Sequence, residues 1–402
     1  MLSYDIKHRP MKKTTIYLAL LLCCIGANAQ VIDSTEFAFG GYIKTDFIST
    51  WYMNGEVGSE SPLRDFHLPS QIPIGPRDEN FGLDFHVKES RFNFDVTTKI
   101  LGQEIHGFLE LDFILSSQGD EKVSNSFNPR MRHFYFEWDR LLIGQTWSTF
   151  MIVVVPDDLD FFGATEGIVA SRQPMIRYKH KNWMFALENP ETTLTPYQES
   201  TVGVSEKEIL PDVVVRRNFT GDWGMVGIAA IYRTLSGVDT LDNKKRTPGF
   251  GLTAGGKLKV GQRGDDFRFM ATGGTGLGRY LAANFVAGGV LNDDIDIHAI
   301  PLINGYVAWN HFWMEEKLSS SFNVSGFKAF HDKDLIGGEA NTAAFSFSGN
   351  LKYNPVKQMM LGMELMTGYR EVLNGTNGQF YRLQFSARYS FGYKNRAVYE
   401  KG

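Results

Sequence analysis

From residue 37 onward the sequence alternates apolar and polar side chains with a period of two, in runs of about ten residues. In the run 91–100, Phe92, Phe94 and Val96 fall on one face of an extended chain, and charged or polar residues fall on the other. Successive side chains of a β-strand point to opposite faces, so such a run has one apolar and one polar side. This is the pattern of a transmembrane β-strand, which turns one face to lipid and the other to a polar interior.

Sixteen segments carry this pattern, and long connectors alternate with short ones between them. Long loops on one side of a membrane and tight turns on the other are typical of an outer-membrane barrel, whose even strand number leaves both chain ends in the periplasm. We therefore predict one all-β domain, a transmembrane antiparallel up-and-down β-barrel of sixteen strands, with eighteen as the alternative. The predicted strands are 37–50, 89–100, 103–115, 131–138, 141–147, 174–180, 183–189, 211–219, 223–234, 249–260, 266–275, 302–313, 316–328, 341–353, 358–370 and 379–391.

The composition excludes several other classes of protein. With 41 Lys and Arg against 45 Asp and Glu, the 402-residue chain has a formal charge of −4 and lacks the basic excess of a nucleic-acid-binding protein. An aromatic content of 13% is too high for a disordered chain. The longest apolar run, 16–26, is shorter than the roughly 20 residues that a membrane helix needs.

The same apolar run has the form of a secretory signal. Lys12 and Lys13 precede it, and the small-residue site 27–29 follows it. We expect residues 1–29 to be removed together with both cysteines of the chain; a lipoprotein cysteine is the alternative. The mature chain would then carry 37 basic and 44 acidic residues, a charge of −7.

The rest of the chain divides into a barrel and a tail. We predict that residues 30–391 form the barrel in the bacterial outer membrane, ending at the aromatic Phe391. Residues 392–402 would then form a periplasmic C-terminal tail. The residues expected to face lipid or a neighbouring barrel, because they hold the apolar parity of their strands, are Phe92, Phe94, Leu109, Leu111, Phe345 and Phe385.

The sequence contains no strong motif for a catalytic or metal-binding site. The acidic segment with Asp293, Asp294, Asp296 and His298 has oxygen ligands that suit calcium, although a solvated acidic loop is the simpler interpretation. No nucleophile elbow, zinc spacing or metalloprotease motif is present in the sequence. We therefore predict neither an enzyme nor a cofactor.

Five strings, taken together, resemble the DcaP-like family of outer-membrane porins. The resemblance is dense over residues 40–190 and implies a trimeric barrel for the uptake of small anionic solutes such as dicarboxylates. It marks Arg91, Arg130, Arg132, Arg172 and Arg177 as candidate pore arginines. The strings are GYIKTDFI at 41, ESRFNFDVTTKILGQEIHGFLELDF at 89, RMRHFYFEWDRLLIGQTWSTF at 130, PDDLDFFG at 156 and RQPMIRY at 172.

The third long connector, 148–173, carries four acids and the pair Phe161–Phe162. In sixteen-stranded porins this loop folds into the barrel, where its acids would face the lumen arginines. Opposite charges on two walls would make a transverse field that filters solutes by charge and size. The alternative is a charged loop in water at the barrel mouth.

We predict a passive diffusion channel for small hydrophilic, anionic solutes. The expected partners are outer-membrane lipid, lipopolysaccharide, the solutes and two further copies in a homotrimer, with no nucleic acid. A barrel enzyme and a plugged structural or adhesin barrel remain alternatives.

Arg132 shares the parity of the lipid-facing Phe134 and Phe136, so it reaches the lumen only if its strand bends. The predicted pore-lining residues are Lys44, Asp46, Arg91, Lys99, Glu110, Asp112, Arg130, Arg132, Asp157, Asp158, Asp160, Glu166, Arg172, Arg177, Arg382 and Arg388.

Overall fold

The computed structural model describes residues 32–115, 124–205, 208–238, 244–261, 263–292, 294 and 296–398. The predicted signal 1–29, Asp293 and the last four residues of the predicted tail lie outside the described residues. Four 3-10 helices are short, and no helix in the described ranges is long and apolar enough to cross a membrane. The 3-10 helices are Pro62–Arg64, Pro69–Gln71, Thr165–Gly167 and Gly278–Tyr280.

Almost all regular structure in the described ranges is β-strand, and seventeen strands join in one antiparallel sheet. The first and last strands pair with each other along 19 residue pairs, which closes the sheet into a barrel. The strands are β1 (Ile32–Tyr52), β2 (Asn80–His86), β3 (Arg91–Ile100), β4 (Gln103–Asp112), β5 (Arg130–Trp138), β6 (Leu141–Trp147), β7 (Arg172–His180), β8 (Trp183–Glu188), β9 (Thr192–Thr195), β10 (Gly203–Ser205), β11 (Asp212–Gly221), β12 (Gly224–Val238), β13 (Lys244–Val260), β14 (Asp265–Thr275), β15 (Gly289–Leu291), β16 (Ile297–Ala299), β17 (Pro301–Met314), β18 (Leu318–Ala329), β19 (Asn341–Tyr353), β20 (Met359–Val372) and β21 (Asn377–Val398).

The barrel has sixteen strand positions. Segments β2 and β3 pair with successive parts of β1 and therefore share one position in the wall. The short strands β9, β10, β15 and β16 form a separate sheet in two of the external loops. The prediction of sixteen antiparallel strands, with long loops on one side and short turns on the other, is confirmed.

The two faces of the wall differ as the alternation predicts. Phe94, Phe345 and Phe385 are between 43% and 47% exposed on the outer surface. On β4, Leu109 lies beside Glu110, which points the other way and is buried at 8% exposure. Polar side chains line much of the interior, and apolar side chains cover the outside. Part of the interior is apolar, because residues 148–171 and 277–287 pack against inward side chains such as Met270, Leu302 and Phe327.

Two features depart from the sequence prediction. Strand β2 lies within the predicted connector 51–88, where it extends the wall by pairing with the outer part of β1. At the other end, β21 continues to Val398, seven residues beyond the predicted boundary at Phe391. Residues 392–398 belong to the wall and not to a tail, because β1 begins early enough to pair with them, with Ser34 opposite Val398.

The outward position of Leu109 can be tested by placing a charge there. Leu109→Arg puts a guanidinium on the lipid face and should lower the free energy of unfolding by about 2–4 kcal/mol near the bilayer centre. Thr97→Arg, on the polar face of β3, is the control and should cost much less. Urea unfolding in lipid vesicles measures both, and equal losses would contradict the assigned faces.

Candidate functional site: a lumen divided by loop 3

Loop 3, residues 148–171 between β6 and β7, crosses the lumen and binds the opposite wall. Its backbone carbonyls accept hydrogen bonds from inward side chains of distant strands. Arg216 of β11 donates to the Met151 carbonyl at 2.7 Å, and Arg268 of β14 donates to that of Val155 at 2.8 Å. The loop therefore lies inside the barrel and not in water at its mouth.

The middle of loop 3 is held by a buried carboxylate of β20. Glu364 accepts hydrogen bonds from the backbone amides of Leu159 and Asp160, at 2.7 and 3.0 Å. Lys44 donates a hydrogen bond to the Leu159 carbonyl. It lies on β1, which is separated from β20 in the wall by β21. These bonds satisfy backbone groups that would otherwise be buried without partners, which would cost stability.

The four acids of loop 3 do not form the predicted transverse field with the pore arginines. The Asp157 carboxylate pairs with Lys352 of β19 at 2.6 Å, and the Asp158 carboxylate accepts from Asn323 of β18. Each acid points to the wall to which the loop is bound, or to loop 1. The prediction that these acids face the pore arginines is therefore corrected. Their charges hold loop 3 in place.

Loop 1, residues 53–79, also enters the lumen and contacts loop 3 through His67. The fully buried His67 ring lies 2.7 Å, Nε2 to Oε2, from Glu166, which also accepts from the Ser325 hydroxyl. The backbone amide of His67 donates to Asp160 at 2.8 Å. Arg382, predicted to line the pore, is buried and donates to Asp160 at 3.3 Å.

The ionisation of the loop 3 acids follows from these contacts. Burial acts to raise the pKa of Glu166, but the charge and hydrogen bond of His67 and the serine hydroxyls outweigh it, so the pKa is lowered. Burial raises the pKa of Asp158, and the nearby charge of Glu364 raises it further. Burial opposes ionisation of Asp157 too, but Lys352 lowers its pKa.

Opposite the tip of loop 3, the wall formed by β3, β4 and β5 carries clustered arginines. Arg130 forms a two-pronged pair with Asp112, with both N–O distances 2.8 Å. Arg132 donates to Glu110 at 2.7 Å and to Asp112 at 2.6 Å. Arg91 lies 3.7 Å from Glu110, so all three guanidiniums share two carboxylates.

A β-bulge turns Arg132 into the lumen. Glu110 pairs with His133 and Leu111 with Met131, so Arg132 is an extra residue without its own partner on β4. A bulge changes the direction in which the following side chains point. This explains how Arg132 is 4% exposed inside the barrel although its parity matches that of Phe134.

Aromatic rings cover the faces of these guanidiniums. Arg130 and Arg132 both lie 5.4 Å from the centroid of Phe161 in loop 3. The Tyr42 ring lies between Arg91 at 5.3 Å and Arg388 at 5.5 Å. Such contacts attract a cation to the π-face without consuming its N–H donors.

Arg172 stands beside Trp147, 4.6 Å above its ring, and its charge interacts with those of Arg132, Arg130 and Arg91. Its Nη1 is buried and has no hydrogen-bond partner among the described residues, and the same is true of Arg91 Nε. Within the described ranges, the ion pairs of these four arginines involve two carboxylates, Glu110 and Asp112, which leaves a local excess of two positive charges and donor groups without acceptors. An anion would satisfy both.

The remaining predicted residues lie elsewhere. Arg177 donates to Thr149 at 2.8 Å and to the Trp147 carbonyl, so it secures the start of loop 3. Asp46 accepts from Gln384 at 3.0 Å in the wall next to loop 3. Lys99 is exposed and lies 3.7 Å from Glu104, near the short turns.

The acidic segment 293–298, for which calcium binding was the less favoured interpretation, uses one of its carboxylates in an ion pair. Asp296 pairs with Lys245 at 2.7 Å. No group of three or more His, Cys, Asp or Glu residues within the described ranges is arranged to hold a metal ion.

The sequence reasoning missed several residues of the site, namely Tyr42, His67, Lys352 and Glu364. Lys352 has the polar parity of its strand, which was a usable signal. His67 had none, because it lies in a long connector whose path cannot be read from periodicity. Tyr42 and Glu364 act through partners that are distant in sequence.

The buried pair of Glu166 and His67 predicts a pH-dependent stability. Because the folded-state pKa of Glu166 is lowered, its contribution is present above the ordinary carboxyl pKa and is lost as the pH falls through the folded value. Glu166→Gln should therefore lower the free energy of unfolding by about 3 kcal/mol at pH 7, and by less in acid.

Asp158→Asn is the matched control, since a raised pKa means that the ionised form is disfavoured in the fold. It should leave stability at pH 7 unchanged or higher. Denaturant unfolding in detergent at pH 7 and in acid measures both variants. Equal losses in the two variants at pH 7 would contradict the assignment.

The fold was compared with solved structures. The crystal structure of the outer membrane channel DcaP of Acinetobacter baumannii superposes with a TM-score of 0.73 at 21% identity, covering 89% of this chain and 97% of that one. A trimer form of the outer membrane protein OmpT of Vibrio cholerae gives 0.51 at 12% identity, covering 89% and 100%. An anion-selective porin from Comamonas acidovorans gives 0.52 at 11% identity, with the same coverage.

The sequence itself was compared with protein families. No curated protein matches it. The family described as DcaP outer membrane protein matches residues 71–391, which include β2 to β20 and most of β21, but not β1 or the first part of loop 1. The chain is thus a bacterial outer-membrane β-barrel with the porin fold, and it belongs to the DcaP outer membrane protein family.

Proposed function

We propose that the protein is a passive diffusion channel that favours small anionic solutes. The observation that carries this proposal is the cluster of Arg91, Arg130, Arg132 and Arg172, which has two more charges than its carboxylate partners Glu110 and Asp112. Guanidinium groups stay charged at all relevant pH values and match a carboxylate with two hydrogen bonds. A solute with one or more carboxylates is the ligand that this cluster fits.

Binding at the cluster is weak enough for release. The Arg91 and Arg130 side chains keep 22% and 21% of their surface open to water. Water screens such contacts, so each should contribute no more than about 1 kcal/mol. A channel conducts only when its solute leaves as easily as it enters.

The local charge decides selectivity here, and the net charge of the chain does not. The loop 3 acids are paired with the wall or with loop 1, so the arginine cluster receives no carboxylate from loop 3 and has Glu110 and Asp112 as its carboxylate partners. The anion-selective porin from Comamonas acidovorans has a similar barrel, which agrees with the proposal but concerns another protein. No chemical step or cofactor is required for this function.

We also propose that the barrel is a homotrimer in contact with outer-membrane lipid and lipopolysaccharide. The apolar outer face supports this, because it must be covered by acyl chains or by neighbouring barrels. The trimer form of OmpT has the same kind of fold. Trimerisation would rest on packing of the walls.

The arginine cluster is tested by charge removal. Arg91→Ala, Arg130→Ala and Arg172→Ala should each move the reversal potential in a KCl gradient toward cation preference, by up to about fivefold in permeability ratio. Lys99→Ala removes the same charge outside the cluster and should have a smaller effect. Planar-bilayer recordings decide this, and three unchanged reversal potentials would refute the role.

Loop 3 is tested by shortening it. Deleting residues 157–163 removes the segment that lies between Glu364 and the arginine wall, so single-channel conductance should rise. Heat-modifiable mobility on a gel checks that the variant is a folded barrel. Unchanged conductance in a folded variant would show that loop 3 does not set the width of the pore.

A further inference from the structure

We infer that Phe161 is the positioning residue of the arginine cluster, and that its ring sets the strength of the anion preference. The inference rests on the proposed function, because it concerns how the same arginines are held. In this inference an aromatic ring of loop 3 faces the arginines, whereas the sequence predicted that the acids of loop 3 would face them.

The backbone around Phe161 is fixed on both sides. Before it, the Asp160 amide donates to Glu364 at 3.0 Å. After it, the amides of Phe162 and Gly163 donate to the Asp160 carboxylate at 3.3 and 3.2 Å, which forms a tight turn with Phe161 at its tip. Gly163 has φ of +60°, and a Cβ there would overlap the Asp158 carboxylate, so the turn requires glycine.

The ring of Phe161 is supported from behind by other aromatic rings. Its centroid lies 5.6 Å from Phe66 of loop 1 and 4.6 Å from Phe162, both with edge-to-face geometry. Phe66 is fully buried and is itself held by the docking of loop 1 on loop 3. The face of Phe161 is therefore presented to the arginines by a rigid support.

In front of the ring, two guanidiniums are fixed by complementary contacts. Carboxylates hold their edges, since Asp112 and Glu110 accept from Arg130 and Arg132, and the ring of Phe161 covers their faces at 5.4 Å. In each guanidinium the contacts described use two of the five N–H donors. The Arg130 side chain keeps 21% of its surface open to water, so its remaining donors are accessible to a solute.

An aromatic ring differs from a carboxylate at this position in one decisive respect. Its quadrupole attracts the cations and restricts their rotation, but it adds no negative charge. A carboxylate from loop 3 would cancel part of the local excess and occupy donors. Phe161 thus orients the arginines while their charge remains available to the passing anion.

The test distinguishes the effect of the aromatic face of Phe161 from the effect of its side-chain volume. Phe161→Leu keeps a large apolar side chain without a π-face, and Phe161→Tyr keeps the aromatic face. Recorded in a KCl gradient, Phe161→Leu should lower the anion-to-cation permeability ratio by about two- to fivefold, with conductance near that of the wild type. Phe161→Tyr should keep the wild-type ratio.

Three results would overturn the inference or its basis. If Phe161→Leu keeps the ratio of an anion-selective wild type, Phe161 does not position the arginines. If Phe161→Ala raises conductance without changing the ratio, the ring is only a steric obstacle. If the wild type itself shows no anion preference, the proposed function fails first, and the inference falls with it. Heat-modifiable mobility confirms folding for each variant.

Discussion

The binding of loop 3 to the inner wall is the constraint on which the rest of the lumen depends. Glu364, buried at 1% exposure, accepts two backbone amides of the loop, and Lys352 neutralises Asp157 beside it. The loop therefore crosses the barrel with its acids facing the wall or loop 1. Because those acids are occupied, the arginines of β3, β5 and β7 keep an excess of positive charge over their partners Glu110 and Asp112.

The proposed function requires a cationic passage in an acidic chain, and this arrangement accounts for it. The whole sequence has a formal charge of −4, yet long-range charges are screened in water over about 10 Å. In the proposed channel, a solute beside Arg91, Arg130 and Arg132 responds to their charges far more than to exposed acids on distant loops. The proposed selectivity is thus a property of the site, and the net charge of the chain is a poor guide to it.

Periodicity alone predicted most of the barrel, because a strand with one lipid face and one polar face must alternate. It failed where a local irregularity changes parity. Arg132 reaches the lumen through a bulge, and β21 extends past Phe391 because β1 offers it a partner. In the period-two pattern the first appears only as a conflict of parity, and the second only as Tyr393, one step beyond Phe391.

The sequence indicated many of the residues of the candidate site, but it did not indicate which of them contact each other. The resemblance and the polar parity marked Arg91, Arg130 and Arg172, and the loop 3 acids were noted as charged groups near the lumen. Their partners could not be foreseen, since the bond from the Leu159 amide to Glu364 joins residues 205 positions apart. Pairings at that distance depend on closure of the barrel, which a pattern of single residues does not encode.

The proposed function depends on a lumen that is cationic beside Arg91, Arg130, Arg132 and Arg172. The most direct measurement is the zero-current potential of the wild-type protein in a planar bilayer separating two KCl concentrations at neutral pH. The account predicts a potential with the sign of chloride preference, which weakens as salt screens the arginines. A potential with the sign of potassium preference would contradict it.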